Sequence, residues 1–345
     1  MICKEGVSLR TMVRKGEKKM TEKMMRKCEL LAANKNRIHK KFVWDHYLMS
    51  VVSGLLYTCE DKEADVEQMK KCLSIIKKNT GVFSPFRSTD RLFLVSKMAL
   101  ADDPEKYFKE VKALYDKIKK GHFVKDSYMV LAAVNIVDAG RVSEAETIIG
   151  KFKDIMTRMK KEHPMLTSND DMPMIVCLAM TDKSTDEIIT EMEESYKLLK
   201  KEFKVYSDSV QGLAEVLTLQ EGTAADKCKE VSEIYGEFRA NHRKYSKEYG
   251  LASLGALIGT GRDADALVKD ICETERYLAG LKGMGMSVMG RSDRLMLAAL
   301  IVADCEGVSG NGMKNPIIVE TSQTIIAMEV MMLVVAATVA SSSSH

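Results

Sequence analysis

The chain has 345 residues, 46% hydrophobic and 29% charged, a globular composition that excludes intrinsic disorder. Its net charge of +3 is too small to imply a nucleic-acid partner. Six per cent aromatics, 5 prolines and 24 methionines, beside abundant Lys, Glu and Leu, favour helix over strand.

The charge is uneven. Residues 1–41 carry about +9 and the rest about −6. Such a basic arm suits an anionic partner, or is the solvated face of a first helix. Lys and Arg recur through it without an apolar core, so it does not read as a secretory signal. The eight cysteines show no two-residue gap of a zinc or redox motif, and several sit on apolar faces. This points to a reduced, cytoplasmic setting.

In chain order, residues 1–15 lack periodicity, and a helix is predicted from about Lys18 to Asn34. Trp44-Asp45-His46 opens an apolar helix running to about Thr58. An acidic turn then leads to an amphipathic helix with Val66, Met69, Cys72, Leu73 and Ile76 on one stripe, stopped at Gly81. The pattern repeats as Asp90–Leu100 with Glu105–Lys120, Asp126–Ala139 with Ser143–Lys161, and Asp170–Met180 with Thr185–Phe203. It continues as Asp208–Leu219 with Ala224–Asn241, and Lys247–Ile258 with Asp263–Lys282. A seventh start lies at Asp293. The starts recur about every 40 residues, within the range of helical-pair repeats.

In each pair the first helix is apolar nearly all round and the second amphipathic, so the first is buried between neighbours. The expected fold is all-α: helical hairpins stacked as one α-solenoid-like array, either open or closed, with an irregular bundle as the alternative. The expected divisions are a basic arm and first helix (1–41), the repeat domain (42–306), a Gly-containing linker (307–320) and an apolar C-terminal helix with a Ser tail (321–345). Gly283–Gly290 reads as a flexible, Met-rich loop. Ile325–Ala340 is apolar apart from Glu329; as helix it spans about 24 Å, short of the roughly 30 Å hydrocarbon core. A helix sealing the array is the favoured reading, with membrane association through 321–345 as the lesser one.

Several motifs carry possible chemistry. Gly259-Thr260-Gly261-Arg262-Asp263-Ala264 matches a dinucleotide fingerprint as written, but that function needs a preceding strand, and the segment fits an inter-helix turn. His163, Asp170 and Asp171 offer a metal-assisted site, or simply first-turn acids at a helix start. Trp44, Asp45 and His46 are candidates for ligand binding or acid–base work, against a capping Asp and a Trp sealing the core. Arg87, Arg91, Arg291 and Arg294 at helix starts, with Asp90 and Asp293, form either an anion-binding edge or an internal Arg–Asp ladder. No nucleophile elbow, zinc-protease helix or phosphate loop is present, so catalysis is not the leading expectation and no cofactor is expected.

Phe42-Val43-Trp44-Asp45, Asn79-Thr80-Gly81-Val82-Phe83-Ser84, Phe86-Arg87, His163–Asp171 and Arg291–Ala299, in this order and spacing, resemble a bacterial family, domain-of-unknown-function family 4003. The apolar, Ala- and Ser-ended tail is similar too, so the resemblance spans about Phe42 to Ser344. It implies a cytoplasmic bacterial protein with no assigned activity, and it transfers no catalytic residues. The Met-rich Gly283–Gly290 loop departs from the family's more aromatic pattern. The function expected is therefore a helical-repeat scaffold binding a protein, a peptide or a small anionic ligand. A metal-assisted enzyme and a membrane-peripheral protein are the alternatives.

Overall fold

The computed structural model describes residues 20–120, 126–204, 207–247, 250–286 and 288–306. The basic segment before residue 20, the Gly-containing linker and the apolar tail read from the sequence lie outside them. The described residues form fourteen α-helices and no strand. The helices are α1 (Glu22–Lys41), α2 (Tyr47–Cys59), α3 (Val66–Asn79), α4 (Arg91–Leu100), α5 (Pro104–Ile118), α6 (Ser127–Asp138) and α7 (Ala145–Glu162). They continue with α8 (Met172–Ala179), α9 (Thr185–Glu202), α10 (Ser207–Thr218), α11 (Ala224–Ala240), α12 (Leu251–Gly255), α13 (Ala264–Gly280) and α14 (Arg291–Glu306). None of the described helices is long and apolar enough to cross a membrane.

Local signals set most boundaries. Asp65, Asp103, Asp126, Ser184, Thr223 and Asp263 each accept a backbone N–H at a helix start, satisfying donors the helix leaves open. The even-numbered helices are buried all round: in α6 every residue from Met129 to Ile136 is inaccessible. Burying such side chains stabilises by about 1.5–3 kcal/mol each, which forces these helices inward. The odd-numbered helices keep a solvent face. α12 is shorter than the sequence predicts. It packs backbone-close on α10, where a Cβ on Gly255 would collide with Val216.

The outer helices touch in sequence, from α1 to α3 and onward to α13, and α13 touches α1. The inner helices α6, α8, α10, α12 and α14 likewise touch in succession, as do α2 and α4. Buried polar side chains stitch neighbours together: Ser53 Oγ donates to the Leu92 carbonyl at 3.3 Å and Asn135 Nδ2 to the Pro173 carbonyl at 2.9 Å. Of the two arrangements the sequence leaves open, the ends decide. α1 packs against both α13 and α14, so the array closes on itself. α1, grouped in the sequence with the basic arm, is thus an outer helix of the first hairpin.

The seam is polar and tightly fitted. Lys35 Nζ donates to the Gly283 carbonyl at 3.0 Å, and Asn36 Nδ2 to the Lys282 carbonyl at 2.7 Å. Lys27, almost fully buried, donates to the Thr58 carbonyl at 2.8 Å and pairs with Asp304 at 2.9 Å. Burial alone would lower the Lys27 ammonium, but Asp304 and Asp61 hold it above its usual range. The expected flexible loop at 283–290 is instead anchored here: Met284 and Met289 are buried, and only Met286 among its described methionines is exposed. Gly283 has a positive φ of 81°, and a Cβ there would strike the Asn36 side chain.

Gly283→Ala is therefore expected to cost roughly 1–3 kcal/mol of stability through strain and displacement of Asn36. Gly285→Ala, where a Cβ meets only the Ala279 carbonyl at ordinary distance, is expected to stay within about 0.5 kcal/mol of the parent. Urea unfolding of the two variants checks the difference, and equal losses would contradict the seam geometry.

Candidate functional site

Each hairpin reverses the chain, so the inner helices run parallel and begin at the same end. Their aligned dipoles concentrate partial positive charge there, which favours carboxylates. The acids at these starts do more than cap. Each reaches forward to the next hairpin. Asp45 Oδ1 pairs with Arg91 Nε of α4 at 3.0 Å. Asp90, held by Ser88, also interacts with Ser127 of α6. Asp126 caps α6 through the Met129 N–H at 3.3 Å and takes a bond from Asn169 Nδ2 before α8. Asp171 Oδ1 accepts from Gln211 Nε2 of α10 at 3.3 Å.

The Asp171 contact is chemically distinct. Its other oxygen, Oδ2, closes a capping box with the Ser168 N–H at 2.8 Å. Asp171 keeps partial contact with solvent, while Gln211 and Glu215 beneath it are buried, at 3% and 1% exposure. Gln211 Nε2 also reaches Glu215 Oε1 at 3.3 Å, so one amide bridges two carboxyls. Enclosure by protein, then the Asp170 charge, push the Asp171 carboxyl up to about 7. Asp90 is likewise raised, chiefly by burial. A carboxyl that holds its proton near neutrality can donate or accept, as acid–base and proton-linked binding sites require.

The structure disperses most other candidates. His163 lies 2.6 Å from Glu193 of α9 and stacks on Tyr196, while Asp171 is engaged by α10. Among the described residues no three His, Cys, Asp or Glu side chains converge to hold a metal. His46 accepts from the Leu48 N–H at 3.4 Å, and burial lowers its imidazole. Arg87 caps the end of α3 through Thr80 Oγ1, at 3.1 Å, and the Thr80 carbonyl. Arg294 is buried against Glu275 at 2.8 Å, and Arg291 approaches the same carboxylate at 3.7 Å. Arg87, Arg91 and Arg294 thus spend their guanidinium groups on intramolecular partners, and Arg291, though exposed, is paired with Glu275. Asp293 accepts from the Gly290 backbone, and burial raises its carboxyl. In the glycine turn at 259–261, a carboxylate rather than an anion-binding nest meets the backbone: Glu230 Oε1 accepts from the Gly259 N–H at 3.1 Å. The Cys28 and Cys59 thiols are pushed up to about 12 by burial, so neither is a thiolate at neutral pH.

Gln211 and Glu215 were missed from sequence. A signal was present, because two polar residues four apart interrupt Val210–Leu217, one face of an otherwise apolar helix. The exposed apolar side chains were also missed. Val43, Trp44, Val82, Phe83, Met165 and Met286 are the large hydrophobic residues left exposed among the described ones. All six lie on connections from an outer helix to the next inner helix, at the end of the array where the inner helices begin. Trp44, read as a possible seal over the core, is 94% exposed, and Phe83 is fully exposed.

A family model described as a protein of unknown function (DUF4003) matches residues 34–338. The chain is also 23% identical over 202 residues to "Uncharacterized protein YeaA" of Bacillus subtilis (strain 168), covering 58% of this chain. The match spans 60% of that relative's length. No solved structure matches.

Because its folded-state pKa is raised, the Asp171 carboxyl is tolerated when protonated, and stability is lost as pH rises from about 4 through about 7. Asp171→Asn mimics the protonated form. Its unfolding free energy relative to the parent, from urea unfolding, is expected to rise between pH 5 and pH 8.5 by on the order of 1–3 kcal/mol. A gap independent of pH would show that the Asp171 carboxyl is not raised in the fold.

Proposed function

We propose that this chain, which belongs to the DUF4003 family, is a cytoplasmic binding protein whose partner docks on the end of the array where the inner helices begin. One observation carries the reading. Every large apolar side chain left exposed among the described residues sits on the connections at that end, and none on the opposite turns. Leaving indole and phenyl groups in water is costly, and exposed apolar groups gathered on one face mark interaction surfaces. The partner is a protein or peptide carrying apolar side chains. The arginines offer no support for a small anion, since each is engaged intramolecularly. A second reading, acid–base catalysis, draws on the Asp171 carboxyl alone.

Trp44 is the only tryptophan, so it reports on this surface directly. The isolated chain is expected to show the red-shifted emission of a hydrated indole, freely quenched by iodide, and to shift to the blue when a captured partner is added. Tagged parent chain should retain a bacterial protein or peptide from lysate. Trp44→Ser/Phe83→Ser/Met165→Ser, with unchanged helical circular dichroism and melting, should lose at least 90% of it, as expected when anchor residues are removed. A parent chain that elutes alone, or equal capture by the triple variant, would overturn the docking surface.

A further inference from the structure

The Asp171–Gln211–Glu215 cluster is not fully explained by packing. Gln211 is 3% exposed, and its amide nitrogen faces the two carboxyls. Its Oε1 sits on the same amide carbon, at the same cluster, and is buried without a hydrogen-bond partner. A buried acceptor with no donor costs free energy until a donor arrives. Carboxyls stand close by, with Ser168 and Asn169 spending their donors on Asp170 and Asp126. Asp170 adjoins on the same turn, and Asp126 approaches from α6 through Asn169. None of Asp126, Asp170 and Asp171 is in an ion pair with a cation among the described residues. Asp171 is partly exposed and so meets solvent.

From these observations we infer that the cluster of Asp171, Gln211 and Glu215 binds a primary ammonium group, whose N–H donors satisfy Gln211 Oε1 and whose charge meets the Asp171 carboxylate. A metal ion fits less well, since no three acidic, His or Cys side chains converge among the described residues. The ammonium group belongs either to a lysine side chain of the docked partner or to a free alkylamine. Only the first source rests on the docking reading above. Binding is linked to protons: at acidic pH Asp171 carries the proton that the ammonium group must displace. The Asp170 charge adds to the carboxyl's preference for a positive neighbour, and Glu215 hydrogen-bonds the Asp171 carboxyl, which favours the ionised form that the ammonium group meets.

The full chain is titrated with n-butylamine and with N-acetyl-lysine methylamide at constant ionic strength, by calorimetry and thermal unfolding. Saturable binding is expected, at least tenfold tighter at pH 8.5 than at pH 5.5, as follows from displacing one proton. Asp171→Asn, which keeps size and shape, should weaken it at least tenfold. Gln211→Leu should do the same if it folds, and Asp171→Asn decides if it does not. A lysine derivative bound more tightly than butylamine assigns the site to a partner's side chain, and equal affinities assign it to a free amine. No saturable amine binding, undiminished binding by Asp171→Asn, or calcium binding in place of amine binding overturns the assignment. Trp44→Ser/Phe83→Ser/Met165→Ser should keep butylamine binding, so failure of the docking surface and failure of the ammonium site are read separately.

Discussion

Parallel inner helices impose the constraint on which the rest of the molecule depends. Side-by-side dipoles pointing the same way repel, and each helix end leaves backbone groups without partners. The chain answers with opposite charges at opposite ends. Carboxyls stand where α2, α4, α6, α8 and α14 begin, in Asp45, Asp90, Asp126, Asp171 and Asp293. Cations close the other end. Lys27 bonds the Thr58 carbonyl of α2, Lys227 the Leu217 carbonyl of α10, and Lys23 the Cys305 carbonyl of α14. Beyond α8, Lys151 bonds the Thr181 carbonyl at 2.8 Å. The two ends are therefore chemically unlike, whatever the protein binds.

Closure follows from the same economy of burial. An open stack of hairpins leaves an apolar inner helix uncovered at each terminus and needs polar caps to cover it. Here α1 covers one terminus by meeting α13 and α14, and Lys35 and Asn36 satisfy the carbonyls of the 282–283 turn. Closure also brings the helix starts round to one end. Tyr47 at the start of α2 senses Asp293 at the start of α14. The carboxyls and the exposed Trp44, Phe83, Met165 and Met286 thus share one face. Exposed apolar side chains and carboxyls at one end suit a ligand that is both greasy and donor-bearing.

Much of the fold was legible in the sequence. The predicted helix starts at Asp126, Thr185 and Ala224 fall within a residue of the observed ones, because the caps Asp126, Ser184 and Thr223 act through local hydrogen bonds. The candidate site was legible only in part. Asp171 was named, but as a possible partner of His163, eight positions before it in the chain. In the structure His163 turns to Glu193 and Asp171 to Gln211, each across a gap of 30 or more positions. For the arginines the sequence left open an anion-binding edge or an internal ladder, and it offered Asp90 and Asp293 as the ladder's acids. The acids used are instead Asp45 of the preceding hairpin, for Arg91, and Glu275 of the adjoining outer helix, for Arg294.

By itself the sequence determined helix content, the alternation of buried and amphipathic helices and the period of about 40 residues, since each depends on side chains three to four positions apart. Only the tertiary structure decided that the array closes, that Trp44 stands in solvent, and that Asp171 shares an amide with Glu215. Those outcomes depend on groups far apart in the chain, such as Lys35 and Gly283, and on how much water survives between them. Neither quantity is written in any local pattern.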